Sequence, residues 1–264
     1  MKILYLDCFS GISGDMTLGA FIDMDVDFQT LKNELEKLNL SGYQLIAEKK
    51  VKGGISGTDI NVVLHNENEH NEMHDQNITH EHHHSHTHSP ESIKRSLHDI
   101  RDIIISSALS DTVKEHSLHM FERLAQVEAT IHQVDVENVH FHEVGAVDAI
   151  VDIVGAAICF DLISPDRVVA SSVHVGSGFV KCAHGMFPVP APATLELLKG
   201  VPIYSKGVLG ELVTPTGAVI LTEYTQEYMD FPSMVVKKIG YGLGKKDFDI
   251  PNCLRVCLGE TIKK

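Results

Sequence analysis

Compact apolar runs alternate along this chain with stretches in which apolar residues recur every three or four positions. Residues 3–7 form one such run, which breaks into Cys8-Phe-Ser-Gly-Ile-Ser-Gly-Asp15. That pattern predicts a buried strand, a glycine-rich turn and then a helix. Met16 and residues 18–22, followed by Leu31, Leu35 and Leu38 beyond a break at 25–27, have helical spacing and predict two helices. Residues 43–51 and 58–64, separated by Gly53, Gly54 and Gly57, predict a β-hairpin. Ser89 as N-cap and Pro90 at the first helical position open a helix with Ile93, Leu97, Ile100 and Ile104 on one face. A partner helix starts near Ser110 and carries Val113, Met120, Leu124, Val127 and Ile131, completing a helical hairpin.

Residues 144–163 are apolar enough for a buried helix. Strands are expected over 168–175 and 179–181, around Gly176-Ser-Gly178, and the prolines at 188, 190 and 192 stiffen the entry to a short helix ending at Gly200. A strand at 201–204, a helix at 215–224 and late strands at 234–239 and 254–258, flanking Gly240-Tyr-Gly-Leu-Gly244, complete the pattern. Strands interleaved with helices predict an α/β fold: a mixed sheet with flanking helices, residues 1–264 forming one region without internal repeats.

Residues 65–88 break the pattern. Nine of these twenty-four residues are His and five are Asp or Glu, so the segment cannot pack a core and is expected to be a disordered histidine-rich insertion. Lys plus Arg at 22 against Asp plus Glu at 36 leaves a net charge of −14, which repels nucleic acid and anionic membranes. The longest apolar stretch is interrupted by Asp148 and Asp152, so no membrane span is expected. The start has no signal-peptide pattern, and five scattered cysteines suit reduced thiols; both point to the cytoplasm.

Candidate chemistry concentrates in the middle of the chain. His140 and His142 are two apart, so in an extended segment both rings project from one face, with Glu143 adjoining. Asp148 and Asp152 are four apart on the helix that follows, and two carboxylates facing one way call for a proton, hydrogen-bond donors or a cation. A divalent metal on His140, His142 and one or more of Glu143, Asp148 and Asp152 meets that need; pairing with Lys or Arg, or exposure to water, meets it equally well. His80, His82, His83, His84, His86 and His88 give overlapping imidazole sites suited to collecting transition metal, or form an inert solvated loop. The turn containing Gly11, Ser13, Gly14 and Asp15 can aim backbone N–H groups at a phosphate or simply pack as a tight turn. Lys181, Cys182 and His184 suit a pocket wall, with His184 a candidate proton acceptor.

The motifs Asp7-Cys-Phe-Ser-Gly-Ile-Ser-Gly-Asp-Met16, His140-Phe-His-Glu-Val-Gly-Ala-Val-Asp-Ala-Ile-Val-Asp-Ile-Val-Gly155 and Val175-Gly-Ser-Gly-Phe-Val-Lys-Cys-Ala-His-Gly185 resemble those of LarC-type nickel insertion proteins. So do Pro188-Val-Pro-Ala-Pro-Ala-Thr194, Gly210-Glu-Leu-Val-Thr-Pro-Thr-Gly217 and Gly240-Tyr-Gly-Leu-Gly244, in family order over essentially the whole chain. The resemblance implies insertion of Ni²⁺ into pyridinium-3,5-bisthiocarboxylic acid mononucleotide. Two nickel–sulfur bonds and one nickel–carbon bond form, giving the nickel-pincer cofactor of lactate racemase-type enzymes. It also implies dependence on CTP with a divalent metal, bound by a further C-terminal domain that the family can append by frameshifting. The apo racemase is a further implied partner, and the oligomeric state is open. Within this frame the histidine tract collects nickel, the ordered His, Glu and Asp group presents it, Asp148, Asp152 or His184 takes a ring proton, and the Gly11–Gly14 turn receives the substrate phosphate. A nickel storage or delivery protein, and a metal-dependent phosphohydrolase or transferase, are the competing readings.

Overall fold

The computed structural model describes residues 1–64, 95–139, 141, 146–182 and 185–262. β1 (Lys2–Asp7) leads into α1 (Gly14–Asp23) and α2 (Phe28–Glu36), as the spacing predicts. β2 (Tyr43–Lys52) and β3 (Ile55–Leu64) form the expected hairpin with longer strands than the pattern suggested. Its turn is Gly53-Gly54 alone, both at positive φ (+55° and +81°), a geometry that matches the twist of antiparallel strands. Gly57 lies inside β3, where a Cβ would come within 2.6 Å of the Tyr241 carbonyl.

Next come α3 (Leu97–Ser106), α4 (Asp111–His132) and α5 (Val147–Ile163). The first of these starts later than expected: Ser96 is its N-cap, in a reciprocal capping box with Asp99, while Ser89, Pro90 and Ile93 lie outside the described residues. The helix α5 is buried around most of its circumference, which is why its sequence shows little amphipathic contrast. Phe160 on it packs edge-on to Phe21 of α1.

The single strand expected over 168–175 is two: β4 (Arg167–Ala170) and β5 (Val173–His174). Ser171 Oγ accepts the Cys8 N–H at 2.9 Å, and the chain bends there into a different sheet. β6 (Gly176–Ser177) is followed by β7 (Phe179–Cys182), which pairs with β8 (Gly185–Pro188), a strand hidden in the sequence by its prolines. α6 (Pro192–Leu197), β9 (Ile203–Tyr204), β10 (Gly210–Glu211), α7 (Pro215–Tyr224), β11 (Glu227–Tyr228), β12 (Met234–Leu243) and β13 (Cys253–Thr261) complete the order.

Seven strands make the main sheet, in the order β11-β4-β1-β13-β12-β3-β2. It is mixed, as expected: β1 is parallel to β4 and antiparallel to β13. Leu4, Leu6, Leu254 and Val256 face the helical layer and share its core, whereas Ile3, Tyr5 and Cys257 bury a smaller cluster on the other face. The glycine-rich stretch after Ile239 is a strand rather than a break, because α1 lies directly on it. A Cβ on Gly242 would sit 1.7 Å from the Met16 carbonyl oxygen. That close approach fixes α1, and with it the turn at the end of β1.

Candidate functional site

The turn after β1 is held by its own backbone. The Gly11 N–H donates to the Cys8 carbonyl at 3.0 Å, at a φ of +78° that favours glycine, and the Ile12 N–H donates to Leu212 O at 3.0 Å. Ser13 caps α1, accepting the Met16 N–H and donating to Asp15. Asp7, which flanks the turn, is taken by Arg255, whose Nε lies 2.8 Å from its Oδ2.

What faces the start of α1 is Asp152 of α5. A Cβ on Gly14 would fall 2.3 Å from Asp152 Oδ2, so only glycine admits the carboxyl group there. Asp152 Oδ1 is shut off from solvent and has no hydrogen-bond partner among the described residues. Burial, then the charges of Asp15 and Asp148, push the Asp152 carboxyl well above the usual carboxylate range, and Lys245 opposes them. Lys245 Nζ bonds Asp59 and the Ile60 carbonyl and stands 3.7 Å from Asp15 Oδ2. Asp148, one turn earlier on α5, is exposed and accepts the Ala149 N–H at 2.9 Å.

Asp152 and Asp148 border a cavity of about 320 Å³. The α4–α5 wall carries Glu128, His132, Asp148 and Asp152; His132 Nε2 and Glu128 Oε2 are 3.3 Å apart. β7, β10 and the first turn of α7 contribute Lys181, Cys182, Glu211, Thr214 and Thr216 to the cavity lining, joined by Lys246. All five cysteines are free, and burial raises the thiol pKa of Cys8, Cys159 and Cys253, the last to about 11.

The structure therefore gathers Gly14, Asp15, Asp148 and Asp152, with Gly11 and Ser13 shaping the turn. His140, His142, Glu143, His184 and the tract residues His80, His82, His83, His84, His86 and His88 lie outside the described residues. Among the described residues no three His, Cys, Asp or Glu side chains are grouped to hold a metal ion. Glu128 and His132 were missed, although they show the same four-residue spacing on a predicted helix that singled out the two aspartates. Lys245 and Lys246 carried no local signal, since their place depends on β12 running through its glycines.

Residues 4–264 match the family described as nickel insertion protein. The chain belongs to the nickel insertion protein family. It is 52% identical over 261 residues to the pyridinium-3,5-bisthiocarboxylic acid mononucleotide nickel insertion protein of Desulfitobacterium hafniense (strain DSM 10664 / DCB-2), covering 98% of this chain and 59% of that protein. The protein of the same name from Clostridium kluyveri is also 52% identical over 261 residues, covering 98% of this chain and 62% of the relative. That from Geobacillus kaustophilus is 48% identical over 264 residues, covering 100% and 61%. The chain thus spans about three-fifths of the length of these nickel insertion proteins. No solved structure matches it. Among the described residues no helix is long and apolar enough to cross a membrane.

Proposed function

We propose that this chain carries out nickel insertion into pyridinium-3,5-bisthiocarboxylic acid mononucleotide, the compound named in its relatives, to give the nickel-pincer cofactor of lactate racemase-type enzymes. The observation that supports it most is the orphaned oxygen of Asp152 beside a cavity large enough to admit a heterocycle. Forming a nickel–carbon bond at a ring C–H releases one proton, while the electron pair stays on carbon and becomes the bond to nickel. Asp152 takes that proton, because burial and like charges make its carboxylate a stronger base than one in water. Asp148 and Asp15 reinforce this through their charge. Nickel, the cargo of the reaction, is presented by His140, His142 and Glu143, with the histidine tract as its reservoir. Nitrogen and oxygen ligands release Ni²⁺ to the softer sulfur atoms of the substrate, so ligand softness sets the direction of transfer. His184 is the alternative proton acceptor.

The reaction is proposed to depend on CTP with a divalent metal, held by the further C-terminal domain that the resemblance implies; the turn at Gly11–Gly14 does not fit a triphosphate or its divalent ion. Two of its N–H groups are spent on protein carbonyls, and a carboxylate faces Gly14. The same facts weigh against placing the substrate phosphate there and against a phosphohydrolase reading.

The test is to incubate the chain with nickel and the mononucleotide, with and without CTP and with and without the remaining part of a longer relative. Mass spectrometry then looks for the metallated product. Asp152→Asn should lower its yield at least 100-fold, the upper reach of a general base being about 10⁴-fold. Absence of product from the wild-type chain in every mixture overturns the reading.

A further inference from the structure

We propose that Lys181 and Lys246 form an anion anchor in the cavity and hold the phosphate of the mononucleotide, an inference that rests on the substrate reading above. The chemistry of the ligand supplies the first step. In a pyridinium carrying thiocarboxylates at positions 3 and 5, the ring carbon that meets nickel lies between them at position 4. The ribose phosphate hangs from the ring nitrogen, at the opposite end of the molecule. A ring whose reacting carbon meets Asp152 therefore directs its phosphate away from that carboxyl group, toward the rest of the lining.

The two lysines of the lining both lie outside α4 and α5. Lys181 projects from β7, which lies against β10, and Lys246 follows the end of β12 with its Nζ 3.8 Å from Glu211 Oε2 of β10. The two form an ion pair without a direct hydrogen bond, so the ammonium can still donate to a phosphate. Lys181 is exposed and has no ion pair among the described residues. The first turn of α7 also lines the cavity at Thr214, Pro215 and Thr216, and its positive end favours an anion there.

Charge makes the anchor necessary. The substrate brings about −1.5 to −2 on its phosphate near neutral pH and one negative charge on each thiocarboxylate. The cavity it enters already carries Glu128, Asp148, Asp152 and Glu211. Nickel offsets the two thiocarboxylates, and the pyridinium nitrogen carries one positive charge. The phosphate is left facing an acidic cavity, and among the described residues only Lys181 and Lys246 supply lysine or arginine charge to its lining.

The test uses the full chain and two sulfur-free probes, nicotinic acid mononucleotide and nicotinic acid riboside, which differ by the phosphate alone. Calorimetric titration of the wild type should show the mononucleotide binding at least tenfold more tightly. Lys181→Ala and Lys246→Ala should each remove most of that preference and leave riboside affinity unchanged. The double variant should abolish it, while Lys→Arg at either position should retain it. Circular dichroism and thermal unfolding matching the wild type show that the variants are folded. If the double variant keeps the wild-type preference, or the wild type has none, the anchor is overturned while the metallation assay can still succeed. If the wild type binds neither probe, the anchor is again overturned, and the metallation assay separately decides the substrate reading.

Discussion

Asp152 is the residue on which the site turns, and its protonation makes a thermodynamic prediction. Its carboxyl holds a proton more tightly in the folded chain than in the unfolded one, where the pKa is about 3.9. The folded state therefore pays nothing below that value and loses stability as pH rises from it toward the raised native pKa, after which the penalty is constant. Asp152→Asn removes the ionisable group, so the variant should be more stable than wild type at pH 7.5, with the gap closing near pH 4. Urea midpoints at the two pH values measure this; a gap of equal size at both would refute it. Lys245 opposes that upward shift, so Lys245→Met should push the Asp152 carboxyl higher still. Because the proposed base must be ionised to accept a proton, the acid limb of the metallation rate should move to higher pH in that variant and return with Lys245→Arg. The spacing of Asp148 and Asp152 was legible in the sequence. That Gly14 and Asp15 would meet them was not, because the contact joins two helices far apart in the chain.

At the scale of elements, the sequence was most informative where periodicity was unopposed. The helices α1, α2, α4 and α7 and the β2–β3 hairpin all stand where apolar spacing put them. It misled where one residue type serves two purposes. Glycine usually punctuates, yet Gly240 and Gly242 continue β12 because α1 needs bare backbone beneath it: Cβ atoms there would lie 2.0 Å from Ala20 O and 1.7 Å from Met16 O. Gly242→Ala should therefore lift α1 off the sheet and cost about 1–3 kcal/mol or more. It should also lower metallation, since the displaced helix carries Gly14 and Asp15. An unfolding midpoint equal to wild type would show that α1 yields without cost. At α3 the capping box at Ser96 and Asp99 begins the helix, while the Ser89-Pro90 start signal lies outside the described residues. Ser96→Ala should cost about 1 kcal/mol by chemical denaturation, with no effect on product yield because α3 does not border the cavity.

For the whole molecule, the decisive question is how a histidine-rich insertion relates to a folded site. β3 ends at Leu64 and α3 begins at Leu97, so residues 65–88 fall between two elements of the fold, and their removal takes away none of the described strands or helices. A chain in which a short Gly/Ser linker replaces residues 65–88 should keep the wild-type unfolding midpoint. Its nickel stoichiometry should drop, because nine imidazoles leave with the segment. At saturating nickel the yield of metallated product should be unchanged, whereas at limiting nickel it should fall, since a reservoir raises supply without touching chemistry. The wild-type chain's extra nickel should also be lost as pH falls through about 6.5, where free imidazoles protonate and stop binding metal. A storage protein behaves differently: without the tract, product would disappear at every nickel concentration. Measuring bound nickel and product in parallel across that range separates a folded site fed by a tether from a tether that is the whole function.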